Sequence, residues 1–254
     1  MTVTFLGTGT SQGVPVIGCE CEVCSSIDFQ DNRLRSAIHI AVDGLSLVVD
    51  TGPDFRQQML RNRVKILDAI LFTHAHKDHT AGMDDIRSFN FLQERDMPIY
   101  ARQDVISQLK DEFAYVFAES KYPGVPRVKV NEIKNVPFRI GDTLITPIEV
   151  MHHKLPVLGF RINDFTYITD ANYISDEEKE KIKGSKVLVL NALQKKPHIS
   201  HFTLAEALEL IEELTPEKAY LTHISHKLGL HRDVKNELPE NVELGWDGMK
   251  IEIN

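Results

Sequence analysis

The stretch Leu71–Gly82, LFTHAHKDHTAG, places His74, His76, Asp78 and His79 within six residues, directly after the apolar run Ala69-Ile-Leu-Phe72. Three imidazoles and a carboxylate this crowded are poor core material, because histidine is only sometimes buried and aspartate almost never is without a partner. Imidazole nitrogens and carboxylate oxygens are the donors that zinc, manganese or iron takes at a catalytic site.

More donors follow other apolar runs. His152 and His153 come after Ile148-Glu-Val-Met151, Asp170 ends Tyr167-Ile-Thr169, and His223 and His226 follow Tyr220-Leu-Thr222. A single histidine in such a place would be a cap or a hydrogen-bonding residue. Repetition at three separate strand ends, beside H-x-H-x-D-H, describes donors carried to one sheet edge by rigid elements, as a catalytic metal site requires. Asp50, before Thr51-Gly52, is expected to accept a hydrogen bond from a ligating imidazole. His39 alternates within a strand and reads as structural, and His231 reads as a surface residue.

A second donor group lies near the N-terminus. Cys19, Cys21 and Cys24 are the three cysteines of the chain, spaced C-x-C-x2-C. A disulfide framework would spread pairs along the sequence. Three thiolates at this spacing can wrap one zinc ion, with a fourth ligand from elsewhere.

The elements that must position these donors read as a β-rich chain interrupted by helices. Val3–Leu6 is a strand, and Gly7–Gly13 is a tight glycine-rich loop rather than a phosphate cradle, since no Lys-Ser/Thr and no helix follow. Ser36–Val42 and Leu45–Asp50 form a hairpin around Asp43-Gly44. Pro53 suits the first turn of a helix reaching about Asn62. The run 68–73 is a strand, 83–95 is helical, Pro98–Ala101 is a strand, and Gln103–Ala118 is one helix with its apolar residues at helical spacing. The loop 119–126 follows; its Tyr122 could cap a pocket, while Phe113, Tyr115 and Phe117 are assigned to core packing. Leu144–Val150, Leu158–Ile162, Thr166–Thr169, Lys186–Leu190, Lys218–Thr222, Val242–Leu244 and Met249–Ile253 read as strands. Helices start at Ser175 and Thr203, each with a glutamate three residues on, the pattern of a capping box. With no internal linker and no repeat, the expectation is one domain over 1–254, an α/β four-layer αβ/βα sandwich, with a small zinc-binding Cys loop at 18–25.

Composition narrows the partners. The 254 residues are 42% hydrophobic and 26% charged, ordinary globular values, and the formal net charge is −8. That balance argues against gripping duplex nucleic acid, which needs a basic surface. It permits a small anionic substrate, because bound dications reverse the field inside a pocket. No apolar run approaches the roughly 20 residues of a bilayer span, and no secretory leader is visible. A cytoplasmic protein with no membrane partner is expected.

The motif His74-Ala-His-Lys-Asp-His79, with its distant His, Asp and His, resembles the metallo-β-lactamase superfamily. That resemblance implies an αββα sandwich with two divalent metals: His74, His76 and His152 on the first, Asp78, His79 and His223 on the second, and Asp170 bridging both. His152 is preferred over His153 by register. The diiron redox branch carries a carboxylate at the second motif histidine; His76 there favours hydrolysis. Gly13-Val-Pro-Val16, Gly18-Cys-x-Cys-x2-Cys24, Leu221-Thr-His-Ile-Ser-His226 and Gly245-x-Asp-Gly-Met249 together are similar to the PhnP type of cyclic phosphodiesterase. That likeness implies a structural zinc on Cys19, Cys21, Cys24 and His226, a homodimer, and His201, ahead of the Thr203 cap, as general acid or phosphate contact, with His198 the weaker candidate. The PqqB proteins share the cysteine pattern.

The function expected is hydrolysis of a small, cyclic phosphodiester at two Zn or Mn ions, with Asp78 and Asp170 orienting a bridging hydroxide. The alternatives are lactone, thioester or β-lactam hydrolysis on the same metals, tRNA 3′-processing, which would want a basic RNA-gripping insertion, and a non-catalytic PqqB-like accessory role.

Overall fold

The structure is a computed structural model and describes residues 1–119 and 122–253. The first half of the chain runs β1 (Thr2–Gly7), β2 (Ala37–Val42), β3 (Leu45–Val49), α1 (Phe55–Asn62), β4 (Ala69–Leu71), α2 (Lys77–Thr80), α3 (Arg87–Gln93), β5 (Met97–Ala101), α4 (Gln103–Glu112), α5 (Ala114–Phe117) and β6 (Val128–Glu132). The second runs β7 (Phe138–Ile140), β8 (Thr143–His152), β9 (Leu155–Ile162), β10 (Phe165–Tyr167), α6 (Asp176–Ile182), β11 (Val187–Asn191), α7 (Leu204–Leu214), β12 (Lys218–Thr222), α8 (His231–Val234) and β13 (Val242–Leu244), and β14 (Lys250–Glu252) returns to the first sheet. Among the described residues these strands make two seven-stranded mixed sheets, ordered β14-β1-β2-β3-β4-β5-β6 and β13-β12-β11-β10-β9-β8-β7.

Strand alternation sorts the apolar side chains into layers. Leu47, Val49, Ala69 and Leu71 from one sheet and Phe160, Tyr167 and Val189 from the other fill the space between the sheets. The intervening Val48 and Ile70 face outward and pack with Phe55, Met59, Phe89, Val105 and Leu109 of α1, α3 and α4. On the far side Leu188, Leu190, Ala219 and Leu221 pack with Ile182 of α6 and Ala207, Leu210 and Ile211 of α7. This is the expected helix–sheet–sheet–helix sandwich. Each fully buried Leu, Ile, Val or Phe contributes roughly 1.5–3 kcal/mol. Strands β11 and β12 lie in parallel pairings and are buried on both faces, which is why they read as unbroken apolar runs.

The direction of the strands decides where the chemistry sits. β3 and β4 are parallel, as are β10, β11 and β12, while β8 and β10 both run antiparallel to β9 and so point the same way. The residues after β3, β4, β10 and β12, and the last residue of β8, therefore emerge at C-terminal strand ends, where open α/β sheets place their sites.

The Asp43-Gly44 hairpin forms as read, with φ of 50° and 77° at its two central residues. Several expectations are corrected. The helix 103–118 breaks at Phe113, whose φ and ψ are −114° and 42°; Val116 turns into the core, while Tyr115 turns outward and donates to Asp84. Tyr122 is exposed; residues 120–121 of its loop lie outside the described residues. β8 and β9 are longer than read and meet at a tight turn at His153-Lys154, so His152 ends a strand rather than following one. Ser175 caps α6, yet the Glu178 carboxylate does not return to it. Instead it accepts from Glu149 N–H, Asn135 and Lys181, stitching α6 to β8. At Thr203 the full capping box closes. Among the described residues, no helix is long and apolar enough to cross a membrane.

Candidate metal centres

Three loops, after β4, β10 and β12, and the last residue of β8 bring the sequence-selected donors together. His74, His76 and His152 form one triad of ligand atoms within 4.8 Å of one another, and Asp78, His79, Asp170 and His223 form a second set by the same measure. His74 Nε2 lies 3.0 Å from His76 Nδ1 and 3.9 Å from Asp170 Oδ2. The other Asp170 oxygen, Oδ1, lies 3.4 Å from His79 Nε2 and 3.0 Å from His223 Nδ1. Asp170 thus stands between the two donor sets, one oxygen toward each. His153 is not part of either: its backbone N–H donates to Asn172 and its side chain is exposed.

The imidazoles are aimed by their other nitrogens. His79 Nδ1 donates to Asp50 at 2.8 Å, His152 Nδ1 donates to the Ser200 carbonyl at 2.8 Å, His74 Nδ1 lies 2.9 Å from Thr73 Oγ1, and His223 Nε2 lies 3.2 Å from Thr10 Oγ1. Asp50 also accepts from the Thr73 N–H and hydroxyl. Such outer hydrogen bonds fix tautomer and ring orientation and raise donor basicity. Asp50, Asp170 and His223 adopt φ of 67°, 58° and 55°. Left-handed backbone at non-glycine residues costs free energy and gathers where a site holds it in place.

Two close approaches hold the His loop against the Asp50 turn. Thr51 N–H donates to His79 O and Gly82 N–H to Thr51 O, both at 2.8 Å. A Cβ at Gly52 would stand 2.1 Å from Asp78 O, and one at Gly82 the same distance from Gly52 O, so only glycine fits at either position.

The electrostatics call for a cation. His79 Nε2 is buried and makes no hydrogen bond of good geometry among the described residues, although Asp78 Oδ2 and Asp170 Oδ1 lie 3.2 and 3.4 Å away. Burial pushes the His79 pKa down, but Asp170, Asp78 and Asp50 outweigh it and carry it well above its ordinary value. Burial likewise opposes ionisation of Asp170, and His223 and His79 reverse that, holding it well below the carboxylate range. Those carboxylates favour positive charge at His79 Nε2, a place that a divalent ion would fill instead of a proton, and the N/O donor set suits Zn or Mn. The two donor sets fit the group that the sequence predicts.

His201 lies over this centre. Its ligand atom falls within 4.8 Å of those of His152 and Asp170, and its ring stacks on His223 with centroids 4.8 Å apart. Burial and then His223 push its pKa down to about 3, so it is a neutral imidazole at neutral pH. His198 sits one layer further out, 5.2 Å from His201 between ring centroids.

The cysteine group finds a fourth donor. His226 Nδ1 lies 3.3 Å from Cys19 Sγ and 3.4 Å from both Cys21 and Cys24 Sγ. Tetrahedral zinc, with Zn–S near 2.3 Å and Zn–N near 2.0–2.1 Å, would separate sulfur and nitrogen ligands by about 3.5 Å. The near-equal spacings fit that geometry.

Several supporting residues escaped the sequence reading. His231 is buried rather than on the surface, because its Nδ1 lies 3.2 Å from Nη2 of the buried Arg33 and its N–H donates to Asp31. Asp247, inside the Gly245–Met249 segment, accepts from Thr8 N–H and hydroxyl and from Leu34 N–H. It thereby holds the loop that carries Thr10 to His223. The one available signal was the segment itself. His39 is structural as read, 2.8 Å from Ser46 Oγ.

A two-sheet sandwich with this donor edge defines a metal-dependent hydrolase fold, and residues 46–224 match the family model for the beta-lactamase superfamily domain. The chain belongs to the metallo-β-lactamase superfamily. Within it the chain is PhnP-like: it superposes on a solved structure described as a new diphosphatase from the PhnP family with a TM-score of 0.93 and 38% identity, covering 100% of this chain and 98% of that one. It is also 38% identical over 257 residues to an octanoyltransferase of Porphyromonas gingivalis, covering 100% of this chain and 52% of that protein. A 125-residue stretch is 30% identical to coenzyme PQQ synthesis protein B of Methylorubrum extorquens, covering 44% of this chain and 40% of that protein. The chain thus spans about half, or less, of the length of these curated relatives.

Proposed function

We propose that the chain is a dinuclear metal-dependent hydrolase that cleaves a phosphorus–oxygen bond in a small phosphodiester, cyclic ones included. The observation that carries the reading is Asp170, with one oxygen toward the His74/His76/His152 triad and the other toward His79 and His223. His74, His76 and His152 would hold one divalent ion, Asp78, His79 and His223 the other, with Asp170 shared. Two ions so held supply an acidified water and a polarised phosphoryl oxygen.

The chain's own residues do the rest. Asp78 and Asp170, kept ionised by neighbouring histidines, accept hydrogen bonds from a water and orient it for in-line approach. His201, neutral in the resting site, offers an N–H to a phosphoryl or leaving oxygen; it acts as a phosphate contact rather than as a stored proton. Cys19, Cys21, Cys24 and His226 would carry a structural zinc.

Similarity to a protein described as a diphosphatase supports chemistry at phosphorus. The name octanoyltransferase belongs to a protein about twice as long, of which this chain matches 52%, and it does not assign acyl transfer to the matched part. The test is a panel of a chromogenic phosphodiester, a 2′,3′-cyclic nucleotide, a lactone and a thioester, each with added Mn2+ or Zn2+. Metal-dependent turnover of the phosphodiesters is expected. Turnover confined to the lactone or thioester overturns the reading.

A further inference from the structure

The cysteine cluster is open to solvent in a way the paired metal site is not. Cys21 is exposed and Cys19 and Cys24 are partly so, whereas His74, His79, Asp170 and His223 are buried. The Cys24 N–H points at Cys21 Sγ from 3.5 Å, and the three sulfurs lie within 4.8 Å of one another. An accessible sulfur close to that of a second cysteine, with two residues between them, is the arrangement of redox-active C-x-x-C pairs.

The cluster is also wired to the buried site through backbone. Ile224, between His223 and His226, donates to Thr8 O at 2.8 Å and accepts from Thr10 N–H at 3.1 Å. The Thr10 hydroxyl lies 3.2 Å from His223 Nε2. From the other end, Cys24 Sγ accepts from Val16 N–H, Val14 pairs with Arg33 through both of its backbone groups, and Leu34 O accepts from Gly9 N–H. Both routes converge on Thr8–Thr10, which holds His223 at its left-handed φ of 55°. A residue in that conformation keeps it only while its neighbours impose it.

We propose that Cys21 and Cys24 form an oxidation site at which a hydroperoxide makes a disulfide, frees the metal of the cysteine cluster and loosens His223 in the active centre. The proposal rests on the reading of both donor sets as metal sites. The Cys21 thiolate attacks the peroxide, the O–O bond breaks, and a sulfenic acid forms as hydroxide leaves and is protonated to water. The Cys24 sulfur then displaces the sulfenic oxygen, which departs as a second water as the S–S bond forms. Two thiols lose two electrons and one H2O2 gains them. Cys19 and His226 remain, two donors where zinc needs four.

The test uses the reduced, metal-loaded full chain treated with H2O2. Free zinc is read with a chromogenic chelator, the protein by intact mass and peptide mapping, and turnover on a chromogenic phosphodiester before treatment, after it, and after dithiol plus zinc. Expected are about one zinc released per chain, a mass lower by two hydrogens with Cys21 bridged to Cys24, and a reversible fall in turnover on the order of tenfold. In Cys24→Ser, Cys21 should stop at a sulfenic acid that a carbon-acid probe traps. Unmodified thiols with zinc retained, or sulfinic acids without a bridge, overturn the proposal. A disulfide with zinc loss but unchanged turnover overturns the coupling to His223. If the reduced protein turns over no phosphodiester, the hydrolase reading fails separately, and zinc release and mass still decide this one.

Discussion

Asp50 and His79 form a fully buried pair, Oδ2 to Nδ1 at 2.8 Å, with neither side chain exposed to solvent. The pair determines which way the imidazole faces. With Nδ1 donating to Asp50, Nε2 faces the Asp78 and Asp170 carboxylates. Asp50 therefore acts on the candidate metal site without entering it.

Asp50→Asn keeps the shape and removes the charge that makes the His79 nitrogen a strong donor. The affinity of the Asp78/His79/His223 site for Zn2+ or Mn2+ should fall about 10–100-fold, measured by chelator competition, while the cysteine cluster keeps its metal. Wild-type affinity in this variant would remove Asp50 from the site.

His152 and His153 are adjacent, yet their exchange is not neutral. His152 completes a triad with His74 and His76, and His153 occupies the hairpin turn with its side chain in solvent. His152→Ala should lower phosphodiester turnover by 100-fold or more, about 3 kcal/mol in barrier, and remove one metal by elemental analysis. His153→Asn suits the left-handed φ of 57° and should leave turnover within about twofold. Equal losses in both variants would contradict the register.

This pair shows what was legible beforehand. The His and Asp donors could be read because each stands at or just past the end of an apolar strand, and β11 and β12 announced themselves by burial on both faces. Strands β6 and β7 were missed because they are sheet edges: Val128–Glu132 exposes most of its side chains and shows no clean alternation, and β7 is three residues long. His231 and Asp247 were not legible as buried, since their partners, Arg33 with Asp31 and Thr8 with Leu34, are some two hundred residues away. Only the closed fold makes those contacts. The helix break at Phe113 was hidden because its apolar spacing continues through the kink.

His231 predicts a pH dependence of stability outside the candidate metal sites. Burial and then Arg33 lower its pKa to about 4, below the roughly 6.5 of an unfolded chain. Between those values the unfolded state binds the proton and the folded state does not. The stabilising contribution is thus complete above about pH 6.5 and is lost as pH falls toward 4. His231→Gln keeps an acceptor for Arg33 without titrating. Its urea midpoint should fall less between pH 7 and pH 5 than that of the wild type; parallel falls would show that His231 does not titrate this way.

Gly52 tests whether the Asp50 turn and the His loop act as one unit. A methyl group there would lie 2.1 Å from Asp78 O, closer than real contacts come, and 3.1 Å from Asp78 C, and the obstacle is backbone that no rotamer change can move. Gly52→Ala must push the Asp78 peptide away, disturbing the Thr51–His79 and Gly82–Thr51 hydrogen bonds as well. A stability loss of about 1–3 kcal/mol is expected from the overpacking, together with weaker metal binding at Asp78 and His79. The control is Gly44→Ala in the β2–β3 turn, where φ is 77° and nothing lies within 4 Å of the added carbon. That change costs about 1–2 kcal/mol through backbone conformation alone and leaves metal binding untouched. Chemical unfolding and metal titration of both variants separate the two effects. If Gly52→Ala loses stability but binds metal like the wild type, the turn supports the fold without positioning the site.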